Sequence, residues 1–244
     1  MEHEKESPGA SNAATKQAVT ARDVWKRGAQ LLVSGGILAA AMFVPAGTAA
    51  FWQAWALLFI YFGGIAFNAL FVLRGDPELI AERARTAENT KPWDRVVSGV
   101  LTVLMIALLA TAGLDKRFGW SHVSLPVTVL GLALILGGGA IVGWAMSANR
   151  YFSRVVRIQT DRGHQVCSSG PYAHVRHPGY TGMILYSIAM SFGLGSWCAL
   201  GPALLVAIMF VVRTVLEDRT LQRELPGYSA YAARVKYRLL PGVW

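Results

Sequence analysis

Phe118–Asn149, FGWSHVSLPVTVLGLALILGGGAIVGWAMSAN, contains no Asp, Glu, Lys or Arg. A helix needs about 20 apolar residues to cross the hydrocarbon core of a bilayer, so this window holds one crossing. Three more charge-free windows flank it: Gly28–Leu73, Val96–Leu114 and His177–Val212. The first, 46 residues long, holds two crossings broken at Pro45-Ala46-Gly47, and the second holds one. The 36 residues of His177–Val212 fit two shorter arms broken near Gly193-Leu194-Gly195-Ser196, each reaching across only with little tilt. The expected fold is an all-α, polytopic integral membrane bundle of about five to six segments arranged as hairpins.

The bulk numbers agree. Of 244 residues, 54% are hydrophobic and 15% charged, and mean hydropathy is +0.40, values foreign to a soluble globule. The net charge of +9 would suit nucleic acid, but its placement argues against that partner. With six crossings, 21 of the 23 Lys and Arg fall on the side of both termini, leaving Lys116 and Arg117 opposite. This positive-inside bias puts both termini in the cytoplasm and predicts contact with anionic membrane lipids. The chain then divides into a polar, disordered tail over 1–23, membrane helices with an amphipathic 74–95 loop over 24–121, and a membrane core with a polar loop and cytoplasmic tail over 122–244. Trp25 and Trp52 are placed as interfacial anchors. No cleavable signal peptide is visible. Cys167 and Cys198 fall in a loop and in the membrane, which speaks against a disulfide framework.

The chemistry is concentrated in Gly170-Pro171-Tyr172-Ala173-His174-Val175-Arg176-His177-Pro178-Gly179-Tyr180-Thr181-Gly182. Ionisable groups at the mouth of a membrane helix are tolerated chiefly where they line a cavity or bind something. Pro178 suits the first turn of a helix, whose free N–H groups would favour an anionic or acceptor group. Arg176 adds a forked cation. The blander reading is that Arg176 and His177 snorkel to headgroups. The pair Glu217-Asp218 could receive ribose hydroxyls or an ammonium, although Arg213, four residues earlier, would serve as an ordinary helical salt-bridge partner. His164, Cys167, His174 and His177 imitate zinc-ligand spacing but lie among turn formers, and no metal is expected. Gly131, Gly137, Gly138, Gly139 and Gly143 suit close helix packing, or a ligand lying along bare backbone.

Taken in order, Gly170-Pro171-Tyr172, Arg176-His177-Pro178-x-Tyr180-x-Gly182, the acidic pair, and Tyr228-x-x-Tyr231-x-x-Arg234 resemble the isoprenylcysteine carboxyl methyltransferase family. The wider group includes membrane phospholipid and small-thiol methyltransferases. The resemblance implies S-adenosyl-L-methionine as cofactor, in a pocket at the cytoplasmic end of the C-terminal half. His177, Pro178, Tyr180 and Gly182, with backbone from Val166 through Gly170 to Tyr172, would hold it. Gly137 and Gly139 would form the group's Gly-x-Gly element, and Glu217 and Asp218 would stand for its Glu-Glu pair. Arg234 would orient the methyl acceptor, with Arg176 as second candidate. The implied activity is methyl transfer to a lipidic or hydrophobic acceptor: an isoprenylcysteine-like carboxylate, a phospholipid amine or a thiol. The rivals are an NADPH-dependent membrane sterol-type reductase and a non-enzymatic scaffold or carrier. A multi-pass protein of a bacterial cytoplasmic membrane, with no obligate protein partner, is expected.

Overall fold

A computed structural model describes residues 21–75 and 90–244. The tail up to residue 20, and most of the amphipathic helix expected over 74–95, fall outside those residues. Five long helices and two shorter ones follow one another: α1 (Ala21–Ala46), α2 (Trp52–Gly75), α3 (Pro92–Phe118), α4 (Leu125–Ala148), α5 (Pro178–Gly193), α6 (Leu200–Glu224) and α7 (Tyr228–Arg234). Short 3-10 turns at Thr160–Arg162 and Gly170–Ala173 punctuate the loop before α5. Among the described residues the fold is all-α.

The breaks fall where the backbone chemistry demands them. Gly47, at φ +64°, ends α1, and Gly119, at φ +65°, ends α3 with its N–H on the Asp115 carbonyl. Both take the left-handed conformation that glycine adopts without penalty. Gly195, at φ +75°, turns the chain between α5 and α6. Proline opens α3 and α5 in the first turn, where a missing N–H costs nothing.

Among the described residues four stretches are long and apolar enough to cross a membrane: Gly28–Ala46, Pro92–Phe118, Leu125–Ala148 and Leu200–Glu224. Helix α2 adds an apolar stretch, Trp52–Ala66 among its described side chains. The 16 residues of α5 rise about 24 Å, less than the roughly 30 Å hydrocarbon core. Leu130, Leu134 and Leu136 of α4 and Leu204, Leu205 and Ile208 of α6 are exposed, as lipid-facing side chains are in an integral membrane protein.

Two seams hold the bundle. The α4–α5 crossing is built from glycines: a Cβ on Gly131 would lie 2.4 Å from the Gly193 nitrogen, and one on Gly138 would lie 2.8 Å from the Gly182 carbonyl oxygen. Backbone thus touches backbone, and Gly131 and Gly138 of the α4 glycines are used for packing. At the end of the bundle remote from the 149–177 loop, Asp115 forms a clasp. Its carboxylate accepts from the Ser121 backbone N–H and hydroxyl and from the Ser196 hydroxyl, while Ser121 Oγ accepts from the Trp197 N–H. The α3–α4 and α5–α6 turns are therefore bound to one buried anion, a satisfied arrangement in a low-dielectric setting.

Candidate functional site

The opposite, polar end carries a cleft with about 810 Å³ of space between its walls, open mouth included. The 149–167 loop forms one wall, the start of α5 a second, and the end of α6 with α7 a third. Val166, Tyr172, Arg176, His177, Tyr180 and Glu217 all line it.

The start of α5 is set by Pro178 at its first turn, with the His177 carbonyl accepting the Tyr180 and Thr181 N–H groups. Gly179 follows because a Cβ there would come within 2.8 Å of the Phe152 ring. His177 and Tyr180 then present nearly parallel rings, 5.9 Å between centroids and 11° apart. The Tyr180 hydroxyl donates to Glu217, which is half-buried at the cleft wall. A carboxylate beside aromatic faces is thereby offered to a ligand with hydroxyls and positive charge.

Asp218 does something else. It is fully buried, and its two oxygens accept from five side chains. Arg176 is bidentate, Nε to Oδ1 at 2.9 Å and Nη2 to Oδ2 at 3.1 Å. Tyr228 donates at 2.9 Å, Arg238 Nε at 3.1 Å and Gln222 Nε2 at 2.8 Å, and His177 Nε2 lies 3.3 Å away. Arg176 Nη1 also donates to the Val235 carbonyl at 3.0 Å. The Arg176 and His177 N–H groups donate to the Tyr237 and Arg238 carbonyls, and Thr181 Oγ1 to that of Leu239. Asp218 and Arg176 are the knot that ties the tail across the start of α5. The Asp218 carboxylate has no capacity left for a ligand, and it does not line the cleft.

The remaining expected site residues are divided. Gly182 packs into α4, its added Cβ falling 2.7 Å from the Gly138 oxygen. Pro178 opens the helix from behind the wall, and Gly170, at φ +57°, turns the chain against Trp144 and Ala148. Gly137 and Gly139 have nothing within 4 Å of an added Cβ and lie away from the cleft. Arg234 is exposed at the end of α7, also outside the cleft lining. Arg213 pairs with Asp94 rather than with Glu217, contrary to the helical spacing.

Of the other wall, sequence reading named Val166 for the cofactor and His164 for its zinc-like spacing, and passed over Gln159. Gln159 is buried and organises it, donating from Nε2 to the Tyr151 carbonyl at 2.7 Å and accepting from Arg162 Nη1 at 2.9 Å. His164 accepts the Gln159 N–H at Nδ1, and its ring lies 4.7 Å from that of Tyr151. Burial first, then the Arg157 and Arg162 cations, hold His164 below the usual histidine range. Burial pushes the Tyr172, Tyr228 and Tyr231 phenols well above theirs, so each remains a donor at neutral pH. Nothing in the local sequence announces this wall beyond a run of polar residues after Asn149.

Residues 129–223 match the family model of the isoprenylcysteine carboxyl methyltransferase (ICMT) family. A protein-S-isoprenylcysteine O-methyltransferase of Saccharomyces cerevisiae is 31% identical over 130 residues, covering 52% of each chain. A probable protein-S-isoprenylcysteine O-methyltransferase of Oryza sativa subsp. indica is 28% identical over 112 residues, 45% of this chain and 59% of that one. The match thus spans little more than half the length of these relatives. The solved structure of the eukaryotic intramembrane Ras methyltransferase ICMT aligns over 91% of this chain and 88% of its own, at 15% identity and TM-score 0.45. The start of α5 and the acidic pair of α6 both fall inside residues 129–223, the segment that is similar to the isoprenylcysteine carboxyl methyltransferase family.

Proposed function

We propose that the protein is a membrane-embedded, S-adenosylmethionine-dependent methyltransferase acting on a hydrophobic acceptor. The observation that carries this reading is the pairing of Glu217 with Tyr180 in a cleft at the polar end of the bundle, within the family-matched segment. The side chains suit the cofactor. The Glu217 carboxylate can accept ribose hydroxyls and offset a sulfonium charge, and the rings of Tyr172, His177 and Tyr180 offer faces to adenine and to the sulfonium. When bound, adenosylmethionine supplies a methyl group on a positively charged sulfur.

The chain's own task is then to hold donor and acceptor in line and dry, the proximity form of catalysis. A carboxylate acceptor needs no general base, and the cleft phenols, kept protonated by burial, offer none. The names of the relatives speak of S-isoprenylcysteine, so a prenylated cysteine carboxylate is the first acceptor to try, followed by phospholipid amines and thiols. The methyltransferase names of those relatives also favour this reading over a reductase. By the positive-inside rule the basic surplus at the polar end supports a cytoplasmic orientation, in which cofactor arrives from the cytoplasm and acceptor from the bilayer.

Isothermal titration of detergent-purified protein with adenosylmethionine tests the cofactor. Saturable binding, absent for NADPH, is expected; NADPH binding without adenosylmethionine binding overturns the proposal. Label transfer from methyl-labelled cofactor into lipid, protein and volatile fractions then identifies the acceptor class.

A further inference from the structure

We propose that Arg213, held by Asp94, is a positioning residue for the cofactor cleft and acts through the ring of Tyr180. The inference rests on the reading of that cleft as an adenosylmethionine site. Neither Arg213 nor Asp94 lines the cleft. Arg213 stands on α6 four residues before Glu217, yet it turns away to α3. Its Nη2 lies 2.8 Å from Asp94 Oδ1 and 3.2 Å from Oδ2, and donates to the Arg154 carbonyl at 2.8 Å. Its Nε is buried with no hydrogen-bond partner, so the guanidinium is held along one edge and against one ring.

That ring is Tyr180. Arg213 Cζ lies 5.5 Å from its centroid, while the Tyr180 hydroxyl donates to Glu217. His177 and Phe210 stand against the same ring, with centroids at 5.9 Å and 5.7 Å. A cation near an aromatic face is attracted to it, most strongly where water is excluded. Arg213 thereby fixes the plane of the ring whose hydroxyl orients the Glu217 carboxylate. Asp94, fully buried, aims the guanidinium and also accepts the Val156 N–H at 2.8 Å, fixing the cleft wall at that point. Helix α3, outside the family-matched residues, thus reaches the site through the Asp94 carboxylate as well as through apolar packing.

A pair serving only stability tolerates removal of both charges, as buried ion pairs often do. A cation that orients Tyr180 does not. The test titrates adenosylmethionine into full-length, detergent-purified wild type, Arg213→Met, Asp94→Asn/Arg213→Met, Tyr180→Phe and Tyr180→Phe/Arg213→Met, with thermal midpoints as the control for folding. Arg213→Met should weaken binding roughly fivefold to tenfold, the effect of a desolvated cation–π contact. The double charge removal should stay as weak, and Arg213→Met should add less than about twofold in the Tyr180→Phe background. Wild-type affinity in Asp94→Asn/Arg213→Met, or fully additive losses with Tyr180→Phe, overturns the inference alone. Should Arg213→Met not fold, because Asp94 is left unpaired, the comparison runs between Asp94→Asn/Arg213→Met and the same pair with Tyr180→Phe. A wild type that takes no adenosylmethionine overturns the reading of the cleft, and this inference with it.

Discussion

Glu217 and Asp218 adjoin in sequence but stand about 100° apart around α6, as 3.6 residues per turn requires. One faces a cleft and meets a single tyrosine hydroxyl; the other is sealed under the tail among five donors. Their substitutions should therefore fail in different ways. Asp218→Asn leaves Arg176 and Arg238 without their counter-charge and should cost about 3–5 kcal/mol, the range for breaking a buried pair, read as a lowered unfolding midpoint. Glu217→Gln should keep that midpoint within a few tenths of a kcal/mol and show its effect in adenosylmethionine titration. His164 gives the pH dependence. Its folded-state pKa lies below the unfolded value, so the folded protein takes up fewer protons and loses stability as pH falls through the ordinary histidine range near 6.5. Protonation also removes the Nδ1 acceptor from the Gln159 N–H. Acidification from about pH 7.5 to 5.5 should therefore lower the midpoint, and His164→Gln should flatten that slope.

Among the elements, α4 and α5 depend most on what is missing from their side chains. Gly138→Val or Gly182→Val forces a branched side chain into opposing backbone and should lower the midpoint strongly, by several kcal/mol of overpacking. Gly139→Ala, with nothing within 4 Å, should change it by less than about 0.5 kcal/mol. A change in adenosylmethionine affinity on Gly139→Ala would instead restore Gly139 to the cofactor site. The ends of α1 and α5 were legible in the sequence, because Pro45-Ala46-Gly47, Pro178 and Gly195 act on their own backbone. The choice between packing and ligand for the glycines was not, because Gly137, Gly138 and Gly139 are chemically identical and only the rotation of α4 against α5 separates them.

At the scale of the whole molecule, the site was legible in part for the same kind of reason. His177, Tyr180 and Glu217 lie in short motifs with recognisable spacing. The partners of Asp218 come from sequence separations of 4 to 42 residues, and the partner of Arg213 lies 119 residues away. Such pairings follow from how hairpins are laid side by side, which no local pattern encodes. The laying-side-by-side is uneven along the bundle. The remote turns are joined through Asp115, while the polar end carries a long loop and an open cleft. The Asp115 rivet holds the arms at one end, and the Asp94–Arg213 and Asp218–Arg176 ion pairs hold them at the other. Hydrogen exchange should be slow at Asp115–Ser121 and around Ser196, and faster across 150–166 outside the bonded Val156 and Gln159 N–H groups. Asp115→Asn should raise exchange most at the turns it rivets, since the two ion pairs still hold the polar end.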